Sequence, residues 1–81
     1  MNEVENTIEQ LSEIEQDQTV PKNVRMKVKG IIDSLKNGGK ETSIKVNEAL
    51  QGLAEVSEDP NVPIYTRTQI WNIISAMESI G

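Results

Sequence analysis

The sequence predicts an all-α fold, a four-helix antiparallel bundle built from two repeated helix–turn–helix hairpins. Three observations predict it: apolar residues recur at helical spacing in four stretches, the second half repeats the first at an offset of 42 residues, and Gly38-Gly39 separates the halves. Sliding the chain by 42 lays Asp17, Val20, Pro21 and Arg25 on Asp59, Val62, Pro63 and Arg67, so D-x-x-V-P-x-x-x-R occurs twice. Downstream, Val28, Ile31, Ile32 and Leu35 meet Ile70, Ile73, Ile74 and Met77. Upstream, Val4, Ile8, Leu11 and Ile14 meet Val46, Leu50, Leu53 and Val56. No gap is needed.

In chain order, the first helix is expected over 2–16, where Val4, Ile8 and Leu11 form one stripe. The second is expected over 20–37 on Val24, Val28, Ile31, Ile32 and Leu35. Thr19 is its expected N-cap, Pro21 falls in its first turn, and Gly38-Gly39 closes it. The third, over 41–57, repeats the first. The fourth, over 62–79, repeats the second, with Asn61 as cap and Pro63 in the first turn. The whole of 1–81 reads as one domain, with repeat 1 over 1–39 and repeat 2 over 43–81. Antiparallel packing of the hairpins about an internal twofold gives the bundle. The alternative arrangement is two hairpins stacked as a short solenoid.

The two D-x-x-V-P-x-x-x-R stretches, with Asp59-Pro60-Asn61 and the run Thr66-Arg67-Thr68-Gln69-Ile70-Trp71, resemble a small archaeal family known as uncharacterised protein family 0147. The resemblance covers essentially the whole chain. It implies an archaeal, compact, helical protein of unknown function and supplies no activity. Lys22 stands where the family pattern leads one to expect arginine. A looser likeness to HEAT-type hairpins rests on Asp17 and Val24-Arg25, and the extra Val-Pro departs from it.

Composition excludes several function classes. The chain has 81 residues, no cysteine and no histidine, so disulfides and the usual zinc ligands are absent. Glu5, Glu9 and Glu13 lie at i, i+4 and i+8 opposite the apolar stripe, where they form a solvated face and not an inward di-metal site. Without His or Cys, a general base would need a carboxylate or lysine of strongly shifted pKa, and Asn37-Gly38-Gly39-Lys40 lacks the frame of a phosphate loop. We therefore expect no catalytic, metal or cofactor-binding residues, no cofactor, and a protein that is not an enzyme. No apolar run approaches a membrane span and the N-terminus does not read as a signal peptide, so a cytoplasmic, membrane-free location is expected.

Charge is segregated. The net charge of −5 divides into −6 over residues 1–17, +5 over 18–45 and −4 over 46–81. An acidic total disfavours a dedicated DNA binder. Asp17 with Arg25, and Asp59 with Arg67, read as structural turn and ion pairs, the aspartate closing the turn and holding the arginine. Lys22, Arg25, Lys29 and Lys36 form a basic stripe along the second helix. At the equivalent places of the fourth helix, Ile64 replaces Lys22 and Trp71 replaces Lys29. Ile64 and Trp71 are thus a candidate interaction surface, the alternative being a wide core edge with Trp71 as its lid. The function expected is a non-enzymatic protein–protein interaction or assembly module, with a homodimer or an unknown protein as partner. The alternative is an accessory nucleic-acid or ribonucleoprotein binder using the basic stripe.

Overall fold

The computed structural model describes residues 3–80, and in it the chain forms four helices: α1 (Glu3–Glu15), α2 (Lys22–Lys36), α3 (Thr42–Ser57) and α4 (Ile64–Glu78). No strand occurs among the described residues. Residues 1, 2 and 81, at the outer ends of the expected first helix and of the two repeats, lie outside them. Each helix packs on its neighbour in sequence, α1 also packs on α4, and the diagonal pairs do not approach. The start of α1, the end of α2, the start of α3 and Ile80 line one cleft, so successive helices alternate in direction. This is an all-α, antiparallel four-helix bundle of 32 × 22 × 20 Å. The contact of α1 with α4 closes the ring and excludes the stacked-hairpin solenoid.

The apolar stripes meet inside. Leu11, Val28, Leu53, Ile70 and Met77 are completely covered, Val4, Ile8, Leu50 and Ile74 pack around their edge, and Ile31 and Ile73 are buried. Val20 and Val62, the valines of the repeated turn motif, are buried too and plug the bundle beside the first turns of α2 and α4. Burying side chains of this size is worth about 1.5–3 kcal/mol each, the favourable term a small domain depends on.

The helix starts correct the sequence reading. Pro21 (φ −55°, ψ 145°) and Pro63 (φ −57°, ψ 149°) are extended, so α2 and α4 begin one residue after them, two residues later than expected. Thr19 and Asn61 are not the caps, and neither helix has a side-chain cap. The cause lies in the preceding aspartates. The backbone N–H groups of Thr19 and Asn61 each donate to the carboxylate two residues before, Asp17 and Asp59, at 2.9 Å. The Thr19 hydroxyl also donates to Asp17, at 2.6 Å, which holds its side chain on the turn, and no helix amide donates to it. The Asp17 and Asp59 carbonyls then accept the Val20 and Val62 N–H groups at 3.1 and 3.2 Å. These are Asx turns, and they displace the earlier helix start that the sequence suggests. At the other end of α2, extended Asn37 (φ −70°, ψ 111°) stops the helix and its side chain accepts the Gly39 N–H. No glycine among the described residues has positive φ, so Gly38-Gly39 follows the helix end without forming a left-handed cap.

Candidate functional site

Helix α4 carries apolar side chains on two opposite sides. Thr66, Ile70, Ile73 and Met77 face the core, while Ile64, Tyr65 and Trp71 are 80, 72 and 54 % exposed. Ile64, Thr68, Trp71 and Ser75, spaced four, three and four residues apart, form one outward side, flanked by Tyr65, Asn72 and Ala76. All seven are exposed and none is ionisable at neutral pH.

Between Ile64 and Met77 the sole charged residue is Arg67, which is half-buried. Its terminal nitrogen donates to the Asp59 carbonyl at 2.9 Å. The guanidinium is thus folded onto the preceding turn, away from the outward face, which remains free of charge over some 20 Å of helix.

The other helices differ. The outward side of α1 carries Glu5, Glu9 and Glu13, all exposed, and that of α3 carries Glu48 and Glu55. On α2 the positions equivalent to Ile64, Trp71 and Ser75 are Lys22, Lys29 and Asp33, also exposed. Met26, 64 % exposed between Lys22 and Lys29, and Ile44, 47 % exposed, are isolated apolar residues in charged surroundings.

The turn residues are arranged differently from the expected ion pairs, and this is a correction. Arg25 donates through Nε to the Val20 carbonyl at 3.1 Å, and Arg67 reaches the Asp59 carbonyl, so both arginines are held by backbone oxygens. The aspartates spend their carboxylates on the turn. Burial of the turn valines leaves part-buried carbonyls with limited access to water, and a half-buried guanidinium donates to them. The hydrogen bonds from Thr19 hold the Asp17 carboxyl below its ordinary value of 3.8, with the Arg25 charge adding a smaller effect in the same direction. Among the described residues an ion pair forms instead between Lys40 and Glu48, at 2.9 Å and exposed.

The basic stripe is not continuous. Lys22, Arg25 and Lys29 border a shallow groove together with Met26 and Glu15, one turn or two apart along α2. Lys36 lies at the far end, in a cleft of about 840 Å³ whose walls also carry Glu3, Glu5, Glu9 and Lys45 over a floor of Val4, Ile8, Leu35 and Ile80. The acidic α1 packs beside the basic α2, so the charge segregation of the sequence is brought side by side in space. No group of three or more Asp or Glu among the described residues is placed to hold a metal ion. No helix among them is long and apolar enough to cross a membrane.

Sequence reasoning singled out Ile64 and Trp71 and missed Tyr65, which extends the same surface. The signal was present as the run of uncharged residues on either side of Arg67.

The model of an uncharacterised protein family, UPF0147, matches residues 1–80. A solved structure described as the crystal structure of the unknown-function protein MMP1188 is similar at 42 % identity and a TM-score of 0.92, covering 98 % of this chain and 90 % of that one. No curated protein matches.

Proposed function

This chain belongs to the uncharacterised protein family UPF0147, and from that premise we propose that it is a non-enzymatic interaction module that docks a protein on the outer face of α4. The observation that carries the reading is the exposure of Ile64, Tyr65 and Trp71 on a helix face without charge, in a chain of which 26 % is charged. Single exposed apolar residues are ordinary, but a contiguous patch marks a contact site. Tryptophan and tyrosine are also the side chains most often found at the energetic centre of protein interfaces. The nucleic-acid reading has weaker support, because the basic stripe is broken and lies beside the acidic α1.

The double variant Ile64→Lys, Trp71→Lys tests the reading. Lys22 and Lys29 already occupy the equivalent places on α2 and both are exposed, so helicity by circular dichroism is expected to persist. Affinity capture from native lysate is expected to retain a protein on the wild type, a further copy of the chain included, and to lose it on the variant. The same bound set on both proteins would contradict the reading, as would an RNA-dependent set lost on Lys22→Ala, Lys29→Ala.

A further inference from the structure

We infer that the occupant of the α4 face is a second copy of this chain, packed with its α4 antiparallel to the first across a twofold axis at Trp71; this rests on the docking reading above. Three features of the face carry the inference.

The first is charge. The chain carries −5, so two copies repel wherever their charged faces meet. Pairing α1 with α1 would set the Glu5, Glu9 and Glu13 rows against each other, and α3 pairing would oppose the Glu55 carboxylates, Glu48 being paired with Lys40. The α4 face itself carries no such pair, since Arg67 is turned to the Asp59 carbonyl and Glu78 lies in the last turn; the carboxylates that border it, Glu13 beside Asn72 and Glu3 beside Ala76, belong to α1 and stand at its edge. A strongly charged partner would equally find no counter-charge there.

The second is the distribution of bulk. The large side chains Ile64 and Tyr65 are at the start of α4, the small ones Ser75, Ala76 and Ser79 at its end, and Trp71 stands at the midpoint of Ile64–Glu78. A twofold perpendicular to the helix brings Trp71 onto its own copy. It sets Tyr65 over the partner's Ala76, and Ile64 over the small end formed by the partner's Ser75 and the partner's Ser79. Large then meets small at both ends, as interdigitated helix packing requires. Parallel pairing would place Ile64 and Tyr65 against themselves and leave the serine end unfilled. The face is therefore self-complementary in one orientation, the property of an isologous contact.

The third is area. With aromatic side chains contributing about 150–250 Å² each when covered, Ile64, Tyr65 and Trp71 at their observed exposure supply on the order of 400 Å² per copy. The small residues between them bring the contact to the lower end of specific interfaces, roughly 1,200 Å² in total. The dimer expected is one that dissociates on dilution.

The absence of cysteine makes the geometry directly testable. Sedimentation velocity of the wild type is expected to show the mass doubling with concentration, and Ile64→Lys, Trp71→Lys to stay monomeric with helicity retained. Under mild oxidation Asn72→Cys, one residue from the axis, is expected to cross-link to itself. Tyr65→Cys alone is not, since its copies lie roughly 18 Å apart along the helix and a disulfide needs Cα atoms within about 7 Å. Mixed with Ala76→Cys, it is expected to form the mixed disulfide. A wild type that stays monomeric, or Tyr65→Cys cross-linking to itself as readily as Asn72→Cys, overturns the proposal. If the wild type is monomeric but the lysine variant still loses a captured protein of another kind, the dimer fails and the docking surface stands. If neither occurs, both fail.

Discussion

Replacing Thr66 by valine is expected to stabilise the fold. Thr66 is 1 % exposed and its hydroxyl has no hydrogen-bond partner. A buried hydroxyl without a partner costs about 1–3 kcal/mol by the measure of protein substitutions. Valine has the same shape and adds no volume that the core must make room for. The corresponding position of α2 is Val24, likewise 1 % exposed, so the packing environment accepts that side chain elsewhere in the molecule. The gain expected is therefore about 1–2 kcal/mol, a large fraction for a domain whose total is on the order of 5–10 kcal/mol. In a chain of this size that corresponds to a rise of roughly 4–8 °C in Tm per kcal/mol. Urea unfolding followed by circular dichroism should move the midpoint up with the slope unchanged. Thr7 is the control. It is also buried, but its hydroxyl donates to the Glu3 carbonyl at 3.0 Å, so Thr7→Val forfeits a bond and should give no gain. A Thr66→Val midpoint equal to or below wild type would refute the reasoning, as would equal gains at the two sites.

Further outcomes follow from particular contacts. Gly30→Ala is expected to add about 0.5–1 kcal/mol, because a Cβ there meets nothing within 4 Å and alanine favours the helix interior. Gly52→Ala should fall below it by about 1 kcal/mol or more, because its Cβ would stand 2.9 Å from Ile31 Cδ1 and 3.0 Å from Ile31 Cγ1, so that the buried Ile31 side chain must shift; thermal midpoints in the reverse order would contradict this. Ile73→Ala is expected to cost about 2–5 kcal/mol by denaturant titration, and Ile31→Ala, slightly less covered, the lower part of that range. The lowered pKa of Asp17 means that the unfolded chain binds the proton more readily. Its contribution is thus present above the ordinary value of 3.8 and lost as pH falls through the folded value below it. Asp17→Asn should flatten the acid limb of the stability–pH curve below about pH 4, and an unchanged limb would count against the Thr19 hydrogen bonds as its cause.

The helices were legible because their stripes recur at helical spacing, and the turns because Asp, Val, Pro and Arg recur together. What escaped was the choice between competing hydrogen bonds. Thr19 and Asn61 before a Val-Pro pair satisfy the pattern of an N-cap, yet the aspartate two residues earlier folds the stretch into a turn and the extended proline puts the helix start beyond their reach. The arginine partners escaped because a sequence displays side-chain charges and hides the part-buried backbone carbonyls that compete with them. Helix α4 was the ambiguous element. Ile64, Tyr65 and Trp71 on one side and Ile70, Ile73 and Met77 on the other give it little contrast between faces, so periodicity alone could not separate a wide core edge from an exposed surface. The divergence of Ile64 and Trp71 from Lys22 and Lys29 pointed to the surface. Tyr65, opposite the neutral Asn23, lacked that contrast.

Trp71 is the protein's single tryptophan, so its fluorescence reports on the outer face of α4 proposed for docking. In dilute purified protein red-shifted emission and ready quenching by acrylamide are expected, both giving way to blue-shifted, protected emission as concentration rises. Emission that is blue-shifted and protected at every dilution, with the protein monomeric by sedimentation, would mean that Trp71 is covered by its own bundle and would contradict the account.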